Sequence, residues 1–188
     1  MRLSDDRYTR ERAQFELALQ MIRHEARTMT IRACTGLSDD RIRKLYATYF
    51  KQKGRLQVRR RRGKSPRQTA FLVRNPQNQL ESTTLVILFA VCALVRIRQD
   101  GSLAVSNDSG LETGLRFCRA YESYLRLHSP PRLSFEWAWN LLGAITRPHE
   151  LCLSGCRHCD KVYVQDALAL DPHLCPCCRM RTRRARAL

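Results

Sequence analysis

Two Cys-x-x-Cys pairs near the C-terminus constrain the fold of this chain more than any other feature. Cys156 and Cys159 form the first pair, Cys175 and Cys178 form the second, and fifteen residues separate the pairs. One such turn places two thiolates on one side of a metal ion, and a second turn completes a tetrahedron at Zn–S distances of about 2.3 Å. Four soft ligands leave no open position, so the pattern predicts one structural zinc ion (Zn²⁺) and no catalytic metal.

The residues around these pairs leave other ligand sets open. The cysteines could form disulfides or remain buried free thiols instead. Cys177 could substitute for Cys178, and His173 could replace a thiolate. Both His158 and His173 are nevertheless more typical of solvated loop residues than of ligands. The paired set is preferred because each pair then spans the same turn. The apolar run from Val162 to Val164 after the first pair predicts a short strand of a zinc ribbon.

The chain carries a large excess of positive charge. Its 188 residues include 34 Lys and Arg against 17 Asp and Glu, which gives a formal net charge of +17. This charge favours a polyanionic partner, with nucleic acid first, although a solubilising surface would also account for it. Two clusters are predicted to contact DNA: Arg59, Arg60, Arg61 and Arg62 in the middle, and Arg181, Arg183 and Arg184 near the C-terminus.

A helix, a glycine turn and a basic amphipathic helix follow one another in the N-terminal region. The pattern predicts a helix over 28–35 that ends at Gly36, and a second helix capped by Ser38 and extending to residue 50. This layout is typical of a helix-turn-helix, whose second helix lies in the major groove. A helical bundle without base contacts is the alternative. The second helix would bury Ile42, Leu45, Tyr46 and Tyr49 and offer Arg41, Arg43 and Lys44 to DNA.

The whole pattern predicts a mainly α fold, namely a helical bundle with an N-terminal helix-turn-helix-like segment and a small C-terminal zinc-ribbon-like domain. The apolar run from Leu85 to Val95 predicts a buried helix. The predicted organisation is a helix-turn-helix-like region over 1–50, a basic linker over 51–80, a helical core and partner-binding region over 81–150, and a zinc-binding domain with a basic tail over 151–188.

Other signals bear on compartment and activity. Met1 is followed by mostly polar residues, and the longest apolar run is too short to span a bilayer, so a cytoplasmic protein without a membrane partner is expected. The sequence contains no phosphate-binding glycine loop, nucleophile elbow or His-Glu metal helix. We therefore predict that the chain is not an enzyme.

The order of these parts resembles the FlhC family, the zinc-containing subunits of the bacterial flagellar master regulator. The resemblance covers most of the chain in order and is strongest over 30–49 and 135–184. It is carried by Gly36-Leu37-Ser38, Arg43-Lys44-Leu45-Tyr46, Ala138-Trp139 and the four cysteines followed by basic residues.

The resemblance implies a cytoplasmic transcriptional activator. Such a subunit forms a hetero-oligomer with FlhD, binds double-stranded promoter DNA upstream of flagellar operons and works with the sigma-70 RNA polymerase holoenzyme. It also implies that the four cysteines ligate zinc and that this subunit supplies most of the DNA contact.

Two other functions fit parts of the same pattern. A divergent member of the family could control operons other than flagellar ones, or recruit a different FlhD-like chain. A zinc-ribbon RNA-binding or ribosome-associated protein would also be basic and carry Cys-x-x-Cys pairs. The apolar helix surface at 85–95 and 135–145 favours the activator, because a small RNA binder need not carry it.

Overall fold

Helices form most of the computed structural model, which describes residues 2–50, 58–61, 63, 66–98, 102–147, 149–170 and 174–185. The mainly α class is confirmed. In these ranges the elements are α1 (Arg2–Arg23), α2 (Thr28–Thr35), α3 (Asp39–Phe50), α4 (Ala70–Val73), α5 (Pro76–Val91), β1 (Val95–Ile97), β2 (Leu103–Val105), α6 (Gly110–Leu127), α7 (Phe135–Ala144), β3 (Leu151–Gly155), β4 (Val162–Asp166) and α8 (Pro176–Ala185).

The chain folds into two compact units. The first comprises Met1–Ser65 and Asn107–Arg119, and the second comprises Pro66–Ser106 and Ala120–Leu188. The second unit therefore contains both hairpins, β1–β2 and β3–β4, together with α8. Helix α4 and the start of α5 lie within the C-terminal part of the stretch predicted as a linker, whereas residues 51–57 lie outside the described ranges.

In the first unit, α2 and α3 have the bounds that their capping residues predict. The backbone N–H of Gly36 donates to the carbonyl of Arg32 at 2.8 Å, and the glycine takes the left-handed conformation at φ 71° that ends α2. Ser38 Oγ accepts the N–H of Arg41 at 3.4 Å, as an N-cap does. The predicted buried face of α3 is only partly correct, because Ile42 and Leu45 are buried but Tyr49 is exposed.

A glycine brings α6 close to two helices of the first unit. A Cβ at Gly114 would lie 2.7 Å from Leu17 Cδ2 and 2.8 Å from Cys34 Cβ. Real side chains do not approach so closely, so only glycine lets α6 pack at this distance from α1 and α2. Leu17, Met21 and Ile31 complete the buried centre of this unit.

In the second unit, α5 differs from the helix predicted over 85–95. It begins at Pro76, where Asn75 Oδ1 accepts the N–H of Asn78 at 2.8 Å as an N-cap, and it ends at Val91. Val95 belongs to β1 instead, which pairs with β2 in an antiparallel hairpin. Among the described helices, none is both long and apolar enough to cross a membrane.

A buried carboxylate ties α5 to the segment that precedes α7. Tyr124 donates its hydroxyl to Glu81 Oε2, which also accepts the N–H of Arg132 at 2.8 Å. The Tyr124 hydroxyl in turn accepts the N–H of Leu133 at 3.0 Å. Burial, and then the bond to Glu81, raises the pKa of Tyr124 well above its ordinary value, so the tyrosine remains a hydrogen-bond donor at any physiological pH.

Candidate metal centre and basic surfaces

The first cysteine pair lies in the turn of the β3–β4 hairpin. The strands pair from Leu151↔Asp166 to Gly155↔Val162, which confirms the strand predicted over 162–164. The N–H of Cys156 donates to the carbonyl of Lys161 at 3.0 Å, and the N–H of Asp160 donates to the carbonyl of Cys156 at 2.8 Å. Asp160 adopts the left-handed conformation at φ 57°, which an aspartate tolerates better than most residues. These bonds hold Cys156 and Cys159 in one tight turn.

The second pair lies at the beginning of a helix. Cys175 precedes Pro176, the first residue of α8, and its carbonyl accepts the N–H of Arg179 at 3.0 Å. Cys178 is in the first turn of α8, and its N–H points to Cys175 Sγ at 3.4 Å. Both thiols of the second pair therefore lie at the N-terminal end of α8.

The four thiols converge on one point. The Sγ atoms of Cys156, Cys159, Cys175 and Cys178 all lie within 4.8 Å of one another, and those of Cys159 and Cys175 are 3.7 Å apart. A tetrahedron with Zn–S bonds of about 2.3 Å has edges of about 3.8 Å. The donor set thus fits a metal ion and is compatible with one zinc.

The thiols of the cluster differ in how readily they lose their protons. The N–H of Cys175 donates to Cys156 Sγ at 3.2 Å, and this bond lowers the pKa of the Cys156 thiol to about 6. Burial raises the pKa of Cys178 to about 12. Four adjacent thiolates repel one another, so all four lose their protons only when a cation compensates their charge.

The structure also shows where most of the alternative metal ligands lie. Cys177 is exposed and Cys178 is buried, so the paired set is the one that the fold brings together. His158 is exposed beside the turn, and His173 lies outside the described residues. All nine cysteines are free thiols, so the disulfide alternative has no counterpart in the fold.

Helix α5 holds the hairpin through two polar side chains that the sequence analysis missed. Gln79 Nε2 donates to the carbonyl of Val164 at 2.9 Å, and Thr83 Oγ1 accepts the N–H of Val164 at 3.1 Å. Both side chains are buried. Tyr163, the preceding residue of β4, packs against the cysteine cluster and shields it from water. No local pattern marks Gln79 or Thr83, because their partner lies about eighty residues away.

The predicted DNA-contacting residues of α3 lie on its exposed face. Arg41, Arg43 and Lys44 are all exposed. The guanidinium of Arg41 lies 5.9 Å from the centre of the Phe15 ring, and Arg43 Nη1 lies 2.9 Å from Asp40 Oδ1. Exposed ion pairs of this kind contribute at most about 1 kcal/mol, so phosphate can displace Asp40 at little cost.

The segment over 58–61 lies beside α3 in the same unit. The hydroxyl of Tyr46 donates to the carbonyl of Arg59 at 3.4 Å, and the Arg60 guanidinium lies 5.8 Å from the Tyr46 ring centre. Arg61 Nη2 lies 2.8 Å from Glu25 Oε2. The fold therefore brings part of the predicted arginine cluster to the same helix that carries the first basic set.

The remaining predicted contacts are only partly described. Arg181 is exposed on α8, six residues after Cys175. Arg183 and Arg184 continue the same helix, but their side chains lie outside the described part of the chain, as does all of Arg62. The helix that starts at the cysteine cluster thus carries basic residues along its length.

Comparison with known proteins does not assign this chain to a family. A scan against protein-family models gives no match, and a search of curated proteins finds no similar sequence.

Proposed function

We propose that the chain is the DNA-binding subunit of an FlhC-type transcriptional activator, in which one structural zinc ion fixes the C-terminal basic helix. With an FlhD-like subunit it would bind promoters of flagellar operons and activate transcription by the sigma-70 RNA polymerase holoenzyme. The partner, the polymerase and the promoters come from the resemblance in sequence alone.

One observation carries the DNA-binding part of the proposal. Helix α3 follows α2 after a tight glycine turn, and its outer face exposes Arg41, Arg43 and Lys44. A short helix that is held on one face and basic on the other suits insertion into a groove about 12 Å wide. Asp39 at its start lies 3.8 Å from Arg32, which offsets its charge. Asp40 loses its partner when Arg43 turns from it to a phosphate, and its charge then opposes binding.

The metal centre would support binding without touching bases. Because Cys175 and Cys178 lie at the start of α8, a metal ion on them anchors the helix that carries Arg179 and Arg181. Arginines on an anchored helix meet phosphates at fixed positions, which sets the orientation of the subunit on DNA.

Competition binding tests the proposed function. The purified chain, alone and with an FlhD-like subunit from the same genome, would be bound to flagellar promoter DNA against scrambled DNA and RNA at one salt concentration. We expect a preference for the promoter that strengthens with the partner. Equal binding to all three, unchanged by the partner, would contradict the proposal, and a preference for RNA would favour the RNA-binding alternative.

A double substitution, Arg59→Ala with Arg60→Ala, tests the phosphate contacts. We expect weaker binding to every DNA sequence alike, with the slope of log K against log salt smaller by about 0.9 for each lost contact. The matched control is Arg119→Ala with Arg126→Ala, which removes the same charge from exposed positions of α6. Equal slopes in the two variants would show that net charge alone drives binding. Loss on one promoter only would mean that this segment reads sequence or shape.

A further inference from the structure

A cavity of about 500 Å³ lies in the second unit. It is formed by the end of the β1–β2 hairpin, the end of α7 and the beginning of β3. Ligand pockets for small organic molecules occupy about 300–1,000 Å³, so the cavity is large enough for one such molecule.

The floor of the cavity is apolar. Leu103, Ile145 and Leu151 line it and are themselves buried, and Leu153 extends the same surface along β3. A ligand that reaches this floor gains by removing apolar surface from water. The occupant therefore needs an apolar body.

Two arginines lie at the rim of the cavity. Arg98 and Arg147 line it and are exposed to solvent, as is His149, and Arg147 pairs with Glu150 beside it. A rim of this composition attracts an anionic group.

Arg147 already has a carboxylate partner. Its Nε and Nη2 atoms lie 2.8 and 2.9 Å from the two oxygens of Glu150, which is a bidentate contact. A ligand carboxylate at Arg147 would exchange for Glu150 in a contact of the same kind. The additional attraction for an anionic ligand therefore comes from Arg98, which also lines the cavity.

We propose that this cavity binds a small organic carboxylate with an aliphatic or aromatic body. The body would lie on Leu103, Ile145 and Leu151, and the carboxylate would meet Arg98 and Arg147. Strand β3 links the site to the metal centre, because Leu151 and Leu153 line the cavity and the same strand continues into Cys156. None of the described lining residues is among the proposed DNA contacts, so the two proposals are independent.

Octanoate and 8-anilinonaphthalene-1-sulfonate are suitable probes, one linear and one aromatic. Titration of the zinc-loaded full chain without DNA, by calorimetry for octanoate and by fluorescence for the sulfonate, should give saturable binding at one site per chain. Octanol, which has the same chain length without the charge, should bind about tenfold more weakly than octanoate.

Variants locate the site. Arg98→Gln with Arg147→Gln should weaken octanoate binding about tenfold or more, because both charged contacts are lost. Arg96→Gln is the control. Arg96 is exposed and lies in β1, but it is not among the described residues that line the cavity. Circular dichroism would verify that each variant is folded.

Three results would overturn the proposal. They are the absence of saturable binding by both probes, equal affinity for octanoate and octanol, and equal weakening by the control and the rim variant. Because no DNA is present in the titration, failure here leaves the proposed activator function untouched.

Discussion

Cys175→Ser should release the metal and unfold the β3–β4 hairpin and α8, while α1 to α3 keep their helical structure. A serine hydroxyl does not replace a thiolate ligand, and the binding energy of a structural zinc, on the order of 10 kcal/mol, is what orders such small elements. The metal content measured on the purified protein should fall from one zinc per chain to well below one. The same loss is expected for Cys156→Ser.

Cys177→Ser is the matched control for this experiment. It makes the same chemical change two residues after Cys175. Cys177 is exposed and lies outside the cluster of four cysteines. This variant should keep a full equivalent of zinc and the stability of the unsubstituted protein. A full equivalent in Cys175→Ser, or loss of zinc in Cys177→Ser, would contradict the ligand assignment.

Glu81→Ala should lower the free energy of unfolding of the second unit by about 3 kcal/mol. The substitution leaves the buried Tyr124 hydroxyl and the N–H of Arg132 without their shared acceptor, and unpaired buried donors cost about 1–3 kcal/mol each. Urea unfolding followed by tryptophan fluorescence measures this unit alone, because Trp137 and Trp139 both lie on α7. The midpoint should fall without a change in slope.

The control for Glu81 is a carboxylate with a similar partner but a different environment. Glu112 pairs with Arg116 at 2.9 Å on the surface of α6, where it is about half exposed. Glu112 belongs to the first unit, so the urea unfolding of Glu112→Ala is followed by circular dichroism. The substitution should change stability by about 0.5 kcal/mol or less, because water replaces the lost contact. Similar losses in the two variants would show that burial does not distinguish Glu81.

The features that the sequence predicted well are those determined by neighbouring residues. The cluster of four cysteines could be predicted because each pair is specified by a four-residue turn and only the distance between the pairs is long-range. The bounds of α2 could be found because Gly36 at its end acts on the adjacent backbone. Cys178 could not be chosen over Cys177 with the same certainty, since that choice depends on which way the first turn of α8 faces.

The sequence predictions fail where contacts between residues far apart in the sequence determine the structure. The apolar run over 85–95 predicted one helix, but α5 ends at Val91 because β1 pairs with a strand that follows a loop. The buried face at the beginning of α5 is polar, with Gln79, Ser82 and Thr83 all buried. A hydrophobic pattern cannot reveal such a face, because its side chains bond to the backbone of Val164 and to the carbonyl of Leu72.

The bonds from Gln79 and Thr83 to Val164 also cover part of the edge of a strand. Strand β4 pairs with β3 on one side only, and the side chains of α5 occupy the backbone groups of Val164 on its other side. A strand edge with free N–H and C=O groups is a template on which another chain can add a strand. If loss of the metal loosens the hairpin from α5, that edge becomes available, so the metal-free protein risks assembling into extended sheets as well as losing its local fold.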